Sequence, residues 1–403
     1  MKKPAQSVVI AAIMSLRYIV EIFAGPFLTA YLIRTSESTL QLSIFYLITL
    51  TVLGISAVIC CGIIVKRFQR GMYRLGMILN FCYILSIALL EERVLDYLPL
   101  IAILYGVSMA CYFMPNGLYN ALAVSNENRA RYEFIKTAVN SAIGVIVPIT
   151  LGSLISATNF TRTAFIILAV SGVQVLCTFL VEPVVEMDHH YTPVATMKRV
   201  LKQKEARCLL LTHFSMGCTI NTGALGTVVT SIFYLTFRTD TSLGIITSTV
   251  TAINLVIRFL HTKFLYRKVH DKWIVGVSFL VMLLGLAAML LIGSSAAVVA
   301  YYIIYAITGN MINWVAAIRI NNAINSAYIK DEGRLEFLAL SEVTLMVGRI
   351  FSFGLMVLVS LWGSPIGLYL LDGVLTLTIL LAVYGVWQMK TDGSIAALSH
   401  IRG

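Results

Sequence analysis

Charge is what this sequence has least of. Only 12% of its 403 residues are Asp, Glu, Lys or Arg, while 59% are hydrophobic and the mean hydropathy is +0.87. A soluble domain of this length has no use for so much apolar surface, so a soluble globular fold is excluded. The chain also lacks a G-x-x-x-x-G-K-[S/T] loop, which argues against ATP as its energy source. Cysteines that could pair in loops are missing too. All seven (Cys60, Cys61, Cys82, Cys111, Cys177, Cys208 and Cys218) fall inside apolar runs or at their ends, so neither a disulfide nor a metal site is expected. His189 and His190, with Glu186 and Asp188, sit in a short loop of poor ligand geometry and read as solvated. No resident cofactor is implied. The first apolar run is too long for a cleaved leader, and more runs follow it.

What the chain has is length in its apolar runs. A bilayer core about 30 Å thick needs roughly 20 helical residues. Twelve runs meet that length: 8–33, 42–65, 73–90, 97–123, 134–157, 162–183, 208–236, 242–262, 273–293, 295–316, 337–361 and 365–388. They are apolar all round, as membrane helices are, and show none of the alternation of a membrane barrel. The expected fold class is an all-α polytopic membrane protein with twelve transmembrane helices.

The net charge of +11 is a matter of topology. Twenty-four of the thirty Lys and Arg residues fall in the alternate segments that include both chain ends. Arg34, Arg93, Arg162 and Arg238 fall in the others, and Arg17 and Arg349 lie within the membrane. The positive-inside rule then puts both termini in the cytoplasm of a multi-pass protein of the plasma membrane. The basic excess therefore needs no nucleic-acid partner.

The longest loop, 184–206, divides the chain into two six-span halves, 1–183 and 207–403, and residues 195–205 have the pattern of a basic amphipathic helix on the inner surface. The halves echo each other at an offset of about 200 residues. "ILYG" at 103–106 answers to "IIYA" at 303–306, "RYEF" at 131–134 to "RLEF" at 334–337, and the basic loop 66–74 to 263–272. Parallel six-span repeats are a plan of secondary transporters, with the site at the midplane between halves.

With these features the chain resembles the major facilitator superfamily over nearly its whole length. The loop after the second span, "GIIVKRFQR" at 62–70, matches that family's G-x-L-x-D-R-x-G-R pattern at Gly62, Arg67 and Arg70. Lys66 stands where the family has Asp, and Gln69 where it has Gly. The fourth span lacks the exporters' Arg four residues ahead of Gly106, where Ala102 stands, and the fifth keeps Gly144, Pro148 and Gly152 without a Gly-Pro pair. The resemblance implies a 6+6 pseudo-symmetric bundle whose first, fourth, seventh and tenth spans line a central cavity.

Ionisable groups within the spans are the sharpest candidates. Counted from residue 8, Arg17 lies about 14 Å and Glu21 about 20 Å along the first span. An unpaired charge there costs at least about 2.5–3.5 kcal/mol, so both must face protein or a water-filled cavity. Four residues apart, they can pair directly. A functional reading has Arg17 bind an anionic group or hold a protonatable Glu21; a structural one has the pair tie the span to a neighbour. Glu342 and Arg349, seven apart on one face of the eleventh span, repeat the idea, and Asp372 in the twelfth is expected to pair with Arg349.

Polar and aromatic stripes complete the candidate set. The fourth span carries Tyr105, Tyr112 and Tyr119 with Asn116 and Pro115; the tenth carries Tyr302, Tyr305, Gly309 and Asn313. The seventh adds His213, Thr219 and Asn221 among glycines, and Asn254 is a further cavity candidate in the eighth. Such stripes also serve packing, and a buried histidine is often simply satisfied. The sequence thus describes a monomeric secondary active transporter, not an enzyme. It would move a small polar, anionic or amphipathic solute by alternating access, coupled to H+. A lipid or glycolipid flippase on the same fold is the alternative. An embedded enzyme or a sensor fits less well, because no loop or tail is large enough to carry the extra machinery.

Overall fold

The computed structural model describes residues 6–65, 68–122, 126–182, 191–202, 204–219, 223–260, 271–324 and 334–388. Among them there is no strand. Eleven helices are long and apolar enough to cross a membrane, and the shorter apolar helix Ala224–Phe237 completes a twelfth crossing. The first six spans are Gln6–Ser36, Thr39–Val65, Gln69–Leu90, Leu98–Leu122, Asn126–Ala157 and Phe160–Thr178. The seventh comes in two pieces, Lys204–Cys218 and Ala224–Phe237. The remaining five are Asp240–Leu260, Asp271–Ile292, Ser295–Ile324, Arg334–Trp362 and Pro365–Gln388.

Local chemistry accounts for several boundaries. Asn159 starts the sixth span by accepting the Arg162 backbone N–H at 2.7 Å, a side-chain cap of the usual kind. Gly223, in extended backbone, starts the second piece of the seventh. A Cβ at Gly223 would collide with the backbone of Cys218 and Thr219, so only glycine lets the chain pass there. The fifth and tenth helices outrun their apolar stretches, starting at Asn126 and ending at Ile324, because a helix need not stop where the hydrocarbon does. A short helix, Pro193–Leu201, forms where the amphipathic pattern predicts one.

The outer surface is apolar, as a lipid-facing surface must be: Leu176, Leu291 and Trp362 are among the most exposed side chains. Trp273 and Trp387 meet edge to face with centroids 6.0 Å apart at one end of the bundle, where indoles gather at a membrane interface. Inside, small residues let backbones cross closely in place of a hydrophobic driving force. Gly76 lies against the backbone of Cys111 and Tyr112, where a Cβ would come within 2.8 Å, and Ser108 Oγ donates to the Gly76 carbonyl at 3.2 Å.

The two six-helix halves meet mainly along two helix pairs, second with eleventh and fifth with eighth. We call the end that holds residue 6 and residue 388 the near face, and the opposite end the far face. At the far face the halves are tied. Arg34 Nη1 donates to Asp240 Oδ2 at 2.7 Å, Ser156 and Thr241 hydroxyls lie 2.8 Å apart, and so do those of Thr39 and Ser360. Gly152 and Gly244 bring the fifth and eighth spans close just below.

Candidate functional site

Arg17 and Glu21 pair as their spacing predicts. Arg17 Nε donates to Glu21 Oε1 at 3.0 Å. Their surroundings are unequal: the Arg17 side chain is 1% exposed and that of Glu21 33%. Arg17 turns into the interior of the first half, where its guanidinium carbon lies 5.2 Å from the Tyr112 ring centroid and 5.9 Å from that of Tyr105. Ring faces attract a cation at such distances. Nη1 and Nη2 have no hydrogen-bond partner and no access to solvent. The guanidinium is thus enclosed, while the carboxylate is partly exposed.

The rings are themselves held. Tyr105 stacks on Tyr83 at 4.1 Å, and Tyr112 on Tyr73 at 5.7 Å, while Tyr73 also meets Tyr119 at 5.4 Å. The Tyr73 hydroxyl donates to Asn116 Oδ1 at 3.4 Å. The fourth-span stripe, including Tyr112 and Asn116, is therefore an internal column backed by the third span. Tyr73 and Tyr83 are functional-site neighbours that sequence reasoning missed. Their ten-residue spacing carries no signal until the third helix is rotated against the fourth. Two residues beyond Glu21 the helix changes to a wider π-type turn, Phe23–Phe27, with Pro26 inside it. Such turns recur at functional sites, and the "AGP" of residues 24–26 was the available sign.

In the second half Arg349 Nη1 donates to Glu342 Oε2 at 3.1 Å, with side-chain exposures of 4% and 20%. Again the base is covered and the acid partly open. Asp372 does not join them, which corrects the expected pairing with Arg349. It is fully buried, accepts the Tyr301 hydroxyl at 2.7 Å and lies 3.4 Å from Thr376 Oγ1, because its face of the twelfth helix turns toward the tenth. His213 Nδ1 lies 3.0 Å from the carbonyl of Leu209 one turn back, a local bond of a buried ring. Tyr305 stands against Gly226, where a Cβ would come within 2.9 Å of its hydroxyl, and Asn313 is half-buried one face further along. Asn221 lies outside the described residues.

Between the halves, on the near side of the far-face ties, lies a cavity of about 280 Å³. Tyr18 of the first span, Asn140 and Ser141 of the fifth, Thr251 and Asn254 of the eighth and Asn310 of the tenth line it. Among the described residues its lining has no charged side chain. Only Asn254 of these was anticipated. The signal for Asn140 and Ser141 was a polar stripe in the fifth span, where Thr137, Asn140, Ser141 and Gly144 recur at helical spacing.

The architecture and the cavity between the halves point to one family, and the family model described as Major Facilitator Superfamily matches residues 8–325. The chain belongs to the Major Facilitator Superfamily. Solved structures of transporters share its fold at low identity. A POT family transporter in complex with 5-aminolevulinic acid aligns with a TM-score of 0.69 and 12% identity, covering 94% of this chain and 96% of that one. The nucleoside transporter NupG aligns at 0.64 and 13%, covering 96% and 100%. The E. coli fucose:proton symporter FucP aligns at 0.64 and 12%, again covering 96% and 100%. No curated protein sequence matches the chain. As a Major Facilitator Superfamily protein with this fold, it is a multi-pass membrane protein of the secondary-transport class.

Proposed function

We propose that the protein is a secondary active transporter of a small polar solute, working by alternating access in the plasma membrane and coupled to protons at Glu21. The near face is cytoplasmic on this reading, which the concentration of Lys and Arg in near-face segments supports. The moving bodies are residues 1–183 and 207–403, joined by 184–206. A single chain suffices, because the cavity lies within it.

The observation that carries the reading is the unequal burial of Arg17 and Glu21. A carboxylate a third exposed in the middle of a span faces water, not lipid. A proton can therefore reach it. When it is protonated, Arg17 keeps only the faces of Tyr105 and Tyr112 as described partners, a poor state for a buried cation. Proton binding thus disfavours this conformation relative to one that regroups around Arg17, and such differential stability is what couples an ion to a conformational change. The π-type turn at Phe23–Phe27, next to Glu21, is where the first span can bend.

The test is proton movement in proteoliposomes. With the purified protein reconstituted and a pH gradient imposed, pools of sugars, nucleosides, organic anions, organic cations and short lipids are added in turn. A pool that dissipates the gradient supports the reading. Dissipation by lipid alone would replace it with a flippase, and solute exchange that carries no protons would remove the coupling role of Glu21.

A further inference from the structure

The polar cavity between the halves holds unspent hydrogen-bonding capacity. Asn254 is 7% exposed, and its Oδ1 is buried with no partner. A buried acceptor in that condition calls for a donor from outside the protein. Its neighbours keep acceptors open. Asn310 Nδ2 donates to the Ala306 carbonyl at 2.8 Å, which leaves its Oδ1. Thr251 Oγ1 donates to the Thr247 carbonyl at 2.9 Å, which leaves its lone pairs. Asn140 Oδ1 accepts from Ser15 at 3.0 Å, so its Nδ2 stays available as a donor. Among the described residues the wall thus offers several acceptors, a few amide donors and no formal charge.

From this we infer that the cavity is a solute site for a neutral, hydroxyl-rich molecule of monosaccharide to nucleoside size. The inference rests on the transport reading and names its substrate class. Hydroxyls donate to the open oxygens of Asn254, Asn310 and Thr251, and accept from Asn140. The volume of 280 Å³ sits at the lower end of small-ligand pockets, about 300–1,000 Å³. Empty of solute it would hold roughly nine waters at about 30 Å³ each. A polyol replaces such waters bond for bond, as an apolar or singly charged solute cannot. An anion would need an open guanidinium or ammonium, and Arg17 and Arg349 are both covered. The wall joins the first and fifth spans to the eighth and tenth, so a solute here touches both halves and can bias their arrangement.

The test is counterflow, which needs no proton gradient. The full chain in proteoliposomes is preloaded with one unlabelled compound and given its labelled form outside: a hexose, a pentitol, a neutral nucleoside, a monocarboxylate and a quaternary amine, each in turn. Exchange of a neutral hydroxylated solute is expected. Asn254→Leu is expected to lower it at least tenfold with the melting temperature kept. Asn254→Asp, which keeps the shape and adds a charge, is the second variant, and is expected to shift preference from a hexose to its 2-amino counterpart. Exchange of only the carboxylate or the amine would overturn the substrate class and leave the transport reading standing. Neutral-solute exchange indifferent to both variants would overturn the assignment of this cavity as the site and likewise leave the transport reading standing. No exchange of any compound by folded protein would overturn the transport reading and this inference with it.

Discussion

The two intramembrane ion pairs use the same groups in different settings. Arg17 and Glu21 are one turn apart, beside stacked tyrosines and just before a π-type turn holding Pro26. Glu342 and Arg349 are two turns apart in an unbroken helix, Arg334–Trp362, that packs closely on the seventh span through Gly348 and Gly217. Both bury the base and leave the acid partly open. The first has a π-type turn in its own helix, while the second packs against the break in the seventh span, where Gly348 meets Cys218 and Ser352 Oγ accepts the Ala224 N–H at 3.4 Å. An ion pair in a membrane is thus not a functional site by its presence alone. What distinguishes the first is the pair of tyrosine faces against its cation and a π-type turn in its own helix, two residues beyond its acid.

That contrast can be broken or sharpened by substitution. The largest effect is expected from Arg17→Lys, which keeps the charge but loses the planar group that lies over two rings; transport should fall tenfold or more, read as initial uptake at equal amounts of membrane-inserted protein. Pro26→Ala should slow turnover several-fold while solute affinity stays within about twofold, since a regular helix at residues 23–27 resists bending. Glu342→Gln should leave the accumulation ratio within about twofold of the parent and lower the melting temperature, because its pair serves packing of the eleventh span. The smallest transport effect belongs to Asp372→Asn. It weakens the bond from Tyr301 and should cost about 1–2 kcal/mol of stability in detergent unfolding, with uptake unchanged. If Glu342→Gln uncouples as completely as Glu21→Gln, the distinction between the pairs is lost.

Much of this was legible in the sequence. Twelve apolar runs and a central basic loop specify a 6+6 bundle because the bilayer fixes helix length and the backbone must satisfy itself within each span. Arg17 with Glu21 and Glu342 with Arg349 were legible because charges stand out in apolar runs and helical spacing says which can meet. What was not legible depends on how helices rotate about their axes. Nothing local says that Asp372 turns to Tyr301, that Tyr73 and Tyr83 back the fourth span, or that Arg17 points into the first half and not into the cavity. The break in the seventh span was marked only by its glycines, one of which, Gly223, proves to be the crossing point.

The most direct test of the account is Glu21→Gln in proteoliposomes, comparing uphill accumulation of a transported solute driven by a pH gradient with its counterflow. The account expects counterflow to persist, because binding and the rearrangement of the halves remain, and accumulation above equilibrium to vanish, because no proton is carried. Accumulation that survives in Glu21→Gln at the parent ratio would contradict it.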